Sequence, residues 1–191
     1  MDDLKRMLLN DAELGEGDII RVDMFLNHCV DVELLENIGK ELAKRFRNDK
    51  ITKVLTAESS GIPLACFVAR ALKVPFLFAK KFQTGYIDPD VYSTEVHSFA
   101  LEKTYTLRIS KRYLLEDDCV LLVDDMLASG QALLGLMEIC AKAGAEVSGV
   151  GVAIEKATRD GGRVLRSMGI RVEALATVER VENGAIILAD D

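Results

Sequence analysis

Apolar runs and amphipathic stretches alternate along this chain, and the alternation predicts an α/β domain: an open, mostly parallel sheet covered by helices. Val120-Leu121-Leu122-Val123 is four consecutive branched apolar residues, the pattern of a parallel strand buried on both faces. From 32 to 46, in contrast, Leu34, Leu35, Ile38, Leu42 and Phe46 fall on one helical face, while Glu33, Glu36, Lys40, Glu41 and Lys44 fall on the other. With 191 residues, 49% of them apolar, the chain can bury one substantial core, so 1–191 reads as a single domain.

Taken in order, Leu4, Met7 and Leu8 at helical spacing predict a first helix that covers the sheet. Gly15 and Gly17 lead into a short strand over 18–25, followed by the amphipathic helix over 32–46. A strand over 51–56, a helix over 62–72 and a strand over 75–79 come next. The segment 82–118 is then polar, with Gly85 and Pro89 near its start and β-rich pieces at 91–96 and 103–109. It is too long for an ordinary connection and is expected to be a functional flap, in which Tyr92, Ser98, Tyr105 and Arg108 could close over a ligand. Alternation resumes with a strand at 120–123, a helix at 131–142 ending near Gly144 and a strand at 147–154. The last elements are a helix at 163–168 ending near Gly169, a strand at 172–178 and, after the hairpin dipeptide Asn183-Gly184, a short strand at 185–188.

A formal charge of −7 argues against bulk affinity for nucleic acid, which depends on a basic surface. Arg70, Lys73, Pro63 and Pro75 interrupt the apolar stretch 61–79, so no membrane span is expected. Cys29, Cys66, Cys119 and Cys140 lack Cys-x-x-Cys spacing, and no secretory leader precedes Asp2 and Asp3; reduced, mostly buried thiols in a cytoplasmic protein are expected. Gly149-Val150-Gly151 lacks the third glycine of a dinucleotide fingerprint, and Val150 stands where a P-loop needs lysine. His28 and His97 are too isolated for a zinc site, and no metal cage is visible.

The chemistry-bearing residues lie at strand ends, where open α/β sheets bind ligands. Asp124 and Asp125 follow the apolar run, and carboxylates there can accept hydrogen bonds from vicinal hydroxyls or help hold a hydrated cation. Behind them Ala128, Ser129, Gly130, Gln131 and Ala132 form a small-residue loop opening a helix, whose free N–H groups suit a phosphate. Ala57-Glu58-Ser59-Ser60-Gly61 is a second strand-to-helix turn; Ser59, Ser60 and Gly61 can bind a polyanion, or a serine can serve as a helix N-cap. Lys80 and Lys81 close another strand on the same sheet edge, either as a solvated pair or, for Lys81, as a cation for a leaving anion.

The stretch 120–132, spelled Asp-Asp-Met-Leu-Ala-Ser-Gly-Gln-Ala after its apolar run, resembles the phosphoribosyl pyrophosphate signature of the type I phosphoribosyltransferases, and its Gly-Gln-Ala is similar to the xanthine branch. The resemblance reaches from the Ile20/Asn27 region to Lys156. It implies the type I fold, with a small hood built partly from 1–30 and a flexible flap, and transfer of a 5-phosphoribosyl group from 5-phospho-α-D-ribose 1-diphosphate to xanthine. Asp124 and Asp125 would be catalytic, 128–132 would hold the 5′-phosphate, and Ser59, Ser60, Gly61 and Lys81 the diphosphate. The same resemblance places Ile20, Asn27 and Lys156 at the xanthine: Ile20 as an apolar wall where relatives commonly carry Leu, the other two as donors to its carbonyl oxygens. Mg2+ with the diphosphate substrate and a homodimer are also implied. Guanine or hypoxanthine is the alternative base, and a purine-responsive regulator without turnover is the alternative class. Nothing before Asp18 is long or basic enough for a DNA-binding module, which weighs against the regulator.

Overall fold

The computed structural model describes residues 1–15, 19–81, 89–98 and 103–189. Gly17, Asp18, Gly85 and the side chain of Ser98 lie outside the described residues. The central sheet has six strands: β3 (Lys53–Ala57), β4 (Phe76–Ala79), β7 (Cys119–Leu127), β8 (Glu146–Lys156), β9 (Val172–Glu182) and β10 (Ala185–Leu188), in the order β10-β9-β8-β7-β3-β4. All neighbours are parallel except β10, which returns antiparallel to β9 through Asn183 and Gly184, both at positive φ.

Side-chain alternation along β7 explains the two-faced core. Leu121 and Val123 join one cluster with α1 (Asp2–Asn10), α2 (Val32–Arg45) and α3 (Gly61–Leu72). Val120 and Leu122 join the other, with α4 (Gln131–Ala143) and α5 (Gly161–Ser167). Asp31 caps α2 by accepting a hydrogen bond from the Leu34 N–H at 2.9 Å, and Lys44 and Arg45 stand in its last turn, where a cation complements the helix dipole.

The 18–25 expectation is corrected. β1 (Glu13–Leu14) and β2 (Ile20–Arg21) form a two-residue antiparallel pair, and Asp23–Asn27 is a π-helical turn. Adjacent Phe25 and Leu26 are both buried in the same α1–α3 cluster, which a helical turn allows and a strand covered on one face does not. Strand 120–123 also runs longer than expected, because β8 continues to pair with β7 as far as Leu127, opposite Glu155. The aspartates therefore stand within β7, not beyond it. Cysteine burial is corrected too: Cys29 and Cys66 are exposed, Cys119 is intermediate and Cys140 alone is buried.

Within the long excursion, β5 (Val91–Ser98) and β6 (Lys103–Ser110) form an antiparallel hairpin. Val96, Leu107 and Ile109 are buried in the α4-side cluster, and Arg108 exchanges two 3.0 Å backbone hydrogen bonds with Lys80. The described hairpin thus has a core face of its own.

Candidate active site

The site begins where the sheet divides. β3 pairs with β7 only through Leu55 opposite Leu122, but continues along β4 to Ala57 opposite Ala79. Beyond Leu122, β7 keeps β8 as its partner and loses β3. Chain order also reverses here, β4 lying to one side of β3 and the later strands to the other. Such switch points leave a crevice at the carboxyl ends of parallel strands.

Asp124 and Asp125 both reach this crevice beside the start of α3, Asp124 next to Gly61 and Asp125 bonded to Ser60. Asp125 is buried, and both its oxygens are engaged: Asn27 Nδ2 donates to Oδ2 at 2.9 Å and Ser60 Oγ to Oδ1 at 2.9 Å. The N-terminal segment, the β3–α3 turn and β7 therefore meet at one carboxylate. Ser60 occupies the N-cap position of α3 without capping it, so its hydroxyl serves Asp125 instead. Ser59 is exposed, and the Glu58–Ser59 peptide is cis. Gly61 is buried at the first position of α3, where a Cβ would stand 3.0 Å from Asp124 Oδ1.

Asp124 accepts the Asp125 N–H at 3.0 Å. Burial, and next the Asp125 charge, hold its carboxyl well above the ordinary carboxylate range, with Lys81 as a weaker opposing influence. Lys81 Nζ lies 4.8 Å from the centre of the Tyr105 ring. Burial, and next Asp124, push the Tyr105 phenol up, so Lys81, Tyr105 and Asp124 form one electrostatic neighbourhood. Glu58, which the sequence did not single out, accepts the Lys81 N–H. Tyr92 faces elsewhere, its ring 5.5 Å from Lys111 Nζ.

Past Leu127 the chain turns through Ala128 and Ser129 to Gly130, at φ 73°, where α4 starts with Gln131 and Ala132. Gly130 has no side chain with which to cap the helix, so the α4 amides face the loop uncapped. The loop rests on the start of α5: the Gly161 N–H donates to the Ala128 carbonyl at 3.0 Å, and a Cβ on Gly161 would come within 2.7 Å of Gly130 N. Sequence reading missed Gly161, although Gly161-Gly162 opening a helix is a signal of close backbone approach.

Ile20 is buried in β2 within the α1–α3 cluster, which Met126 borders. Lys156 was expected just past a strand ending at 154; β8 instead includes it, and it is buried. Beside it, Glu155 is buried and receives both Arg166 nitrogens, at 2.6 and 2.7 Å. Among the described residues no group of three or more His, Cys, Asp or Glu side chains could hold a metal ion. Thr56 Oγ1 is the one buried side-chain polar atom found without a hydrogen-bond partner among them.

An α/β sheet with a carboxylate pair at its switch point, an uncapped helix N-terminus behind it and a lysine nearby is an arrangement suited to a ligand that carries both hydroxyls and phosphate. Residues 31–164 match the phosphoribosyl transferase domain, and the chain belongs to that family. It is 46% identical to the xanthine phosphoribosyltransferase of Ruminiclostridium cellulolyticum over 97% of this chain and 98% of that one. Identity is also 46% to the xanthine phosphoribosyltransferase of Bacillus cytotoxicus, over 96% and 93% of the two chains. Among solved structures, APRTase from Giardia lamblia complexed with 9-deazaadenine superposes with a TM-score of 0.77, at 26% identity over 94% of this chain and 98% of that one. Adenine phosphoribosyltransferase from Thermoanaerobacter pseudethanolicus gives 0.75 at 21% identity, covering 92% and 98%. The architecture is the type I phosphoribosyltransferase fold.

Proposed function

We propose that this protein transfers the 5-phosphoribosyl group of 5-phospho-α-D-ribose 1-diphosphate to N9 of xanthine, forming xanthosine 5′-monophosphate and diphosphate. The observation that carries the reading is the meeting of Asn27, Ser60 and Asp125 at one carboxylate, beside Asp124 and Lys81, since it joins the three expected subsites in one crevice.

In this reading the uncapped amides of α4 and the 128–132 loop hold the 5′-phosphate, while Ser59, Ser60, Gly61 and Lys81 face the diphosphate. Asp124 and Asp125 accept hydrogen bonds from the ribose hydroxyls. As the bond to diphosphate lengthens, positive charge grows on the ribose and negative charge on the leaving group. Carboxylate oxygens fixed at the sheet crevice lie where they can offset the positive charge that grows on the ribose, which lowers the barrier rather than merely tightening binding. Lys81 complements the departing anion. N9 attacks the anomeric carbon from the opposite side and inverts it as the C1–O bond to diphosphate breaks, the imidazole-ring proton of xanthine passing to solvent or to the departing diphosphate, and no covalent intermediate on the protein is required. Ile20 walls the base, and Asn27 and Lys156 donate to its carbonyl oxygens, Asn27 exchanging Asp125 for the ligand.

No protein cage for a metal is found among the described residues; a hydrated Mg2+ arriving with the diphosphate would not need one, Asp124 and Asp125 would offer it oxygens, and it would supply neutralisation of the diphosphate charge. We place the enzyme in cytoplasmic purine salvage, as a homodimer, the commonest closed assembly. No described helix is long and apolar enough to cross a membrane.

Steady-state comparison of xanthine, guanine and hypoxanthine tests the assignment. The expected result is the highest kcat/KM for xanthine; a preference for either other base overturns the substrate. Diphosphate release by the intact protein, abolished in Asp125→Asn, is expected, whereas binding without release would make the protein a sensor.

A further inference from the structure

The hairpin β5–β6 places one aromatic side chain inside the site. Tyr105 shares its strand face with Leu107 and Ile109, both buried, and stands opposite Val96, which is buried as well. Core packing therefore fixes the ring. Lys81, in contrast, follows the end of β4 on a long, many-rotamer side chain. Backbone contacts lock the two segments in register: Lys80 and Arg108 exchange two 3.0 Å hydrogen bonds, and Arg108 Nη1 donates to the Lys81 carbonyl at 3.4 Å. With the Glu58 carboxylate holding the Lys81 N–H, only the lysine side chain is left to orient, and its ammonium lies 4.8 Å from the Tyr105 ring centre.

We propose that Tyr105 is a positioning residue for Lys81: its ring fixes the ammonium beside Asp124 by a cation–π contact and so sets affinity for the diphosphate end of the substrate. This rests on the phosphoribosyl-transfer reading. A ring held by the core presents its negative face without reorganising, and a lysine already oriented loses less freedom when an anion arrives. Tyr105 acts through Lys81 and not as a lid, because its ring belongs to the packed face of the hairpin.

Calorimetry with magnesium diphosphate, together with steady-state kinetics, on Tyr105→Leu, Tyr105→Phe, Lys81→Met and the double variant Lys81→Met/Tyr105→Leu provides the test. Tyr105→Leu should weaken diphosphate binding and raise the KM for 5-phospho-α-D-ribose 1-diphosphate by about 2- to 10-fold, the span of a half-desolvated cation–π contact, while the KM for xanthine holds. Tyr105→Phe, which keeps the ring, should restore binding, and Tyr105→Leu should add nothing once Lys81 is Met. Equal losses in Phe and Leu, or the same loss with and without Lys81, would overturn the proposal, as would no loss. If the wild type turns over xanthine but this coupling is absent, only the inference fails. If the coupling is present without turnover of xanthine, only the function assigned above fails.

Discussion

Replacing Gly161 with Ala should damage the proposed phosphate loop from behind, while leaving every side chain of the loop itself unchanged. A Cβ at this position would stand 2.7 Å from Gly130 N and 2.7 Å from Ser129 C, and closer still to the Ala128 carbonyl oxygen. All three are backbone atoms, so no rotamer change relieves the contact. Two effects compete. Ala stabilises a helix over Gly by at most about 1 kcal/mol, and less at the first position. Overpacking against a rigid neighbour costs about 1–3 kcal/mol, so the steric term wins. For a chain of this size each kcal/mol shifts Tm by about 2–4 °C, and a fall of several degrees is expected in a thermal melt. Because the strain is relieved by moving 128–130, the larger consequence is kinetic: the KM for 5-phospho-α-D-ribose 1-diphosphate should rise about 10-fold or more, given the steep loss that follows a 1 Å misplacement. Xanthine KM, measured at saturating co-substrate, should change little. An unchanged Tm together with an unchanged KM for the phosphoribosyl donor would refute the claim that α5 supports the loop.

Asn27→Ala removes a donor from a buried carboxylate, so stability in urea should fall by about 1.5–3 kcal/mol, and the same substitution in an Asp125→Asn background should cost markedly less. Asp124→Asn tests the raised carboxyl by pH. Between the ordinary carboxylate value and the raised native one, the native state holds a proton that the unfolded chain has released, so wild-type stability falls as pH rises through that window. Asn carries no such proton, and the urea midpoint of Asp124→Asn relative to wild type should climb from pH 4 to pH 8. Thiol titration of the native protein should find Cys29 and Cys66 reactive and Cys140 protected, since burial pushes the Cys140 thiol up to about 12.

Where local pattern and tertiary structure agree, the reason is burial on known periods. The 120–123 run reads as a central strand, because a strand covered on both faces needs no polar alternation and a run of four between turn signals is short for a helix. The helix over 32–46 had to lie on the sheet along its apolar face, and Asn183-Gly184 had to turn a hairpin. Disagreement arose where the neighbour decides. The stretch 18–25 read as a strand, yet packing of both Phe25 and Leu26 into the α1–α3 cluster makes 23–27 a π-helical turn. The aspartates read as a strand end, yet β8 runs alongside and keeps them within β7.

By itself the sequence determined the alternating α/β order, the acidic pair and the small-residue loop behind it, because periodicity, side-chain chemistry and backbone freedom are properties of contiguous residues. Tertiary structure alone decided that Asn27, Ser60 and Asp125 share one hydrogen-bonded node, that Tyr105 meets Lys81 and that Gly161 props the loop. Those partners are separated by tens of residues and meet through tertiary contacts: the crevice where β3 parts from β7 for Asn27, Ser60 and Asp125, the Lys80–Arg108 bridge for Tyr105 and Lys81, and the Gly161–Ala128 hydrogen bond for the loop.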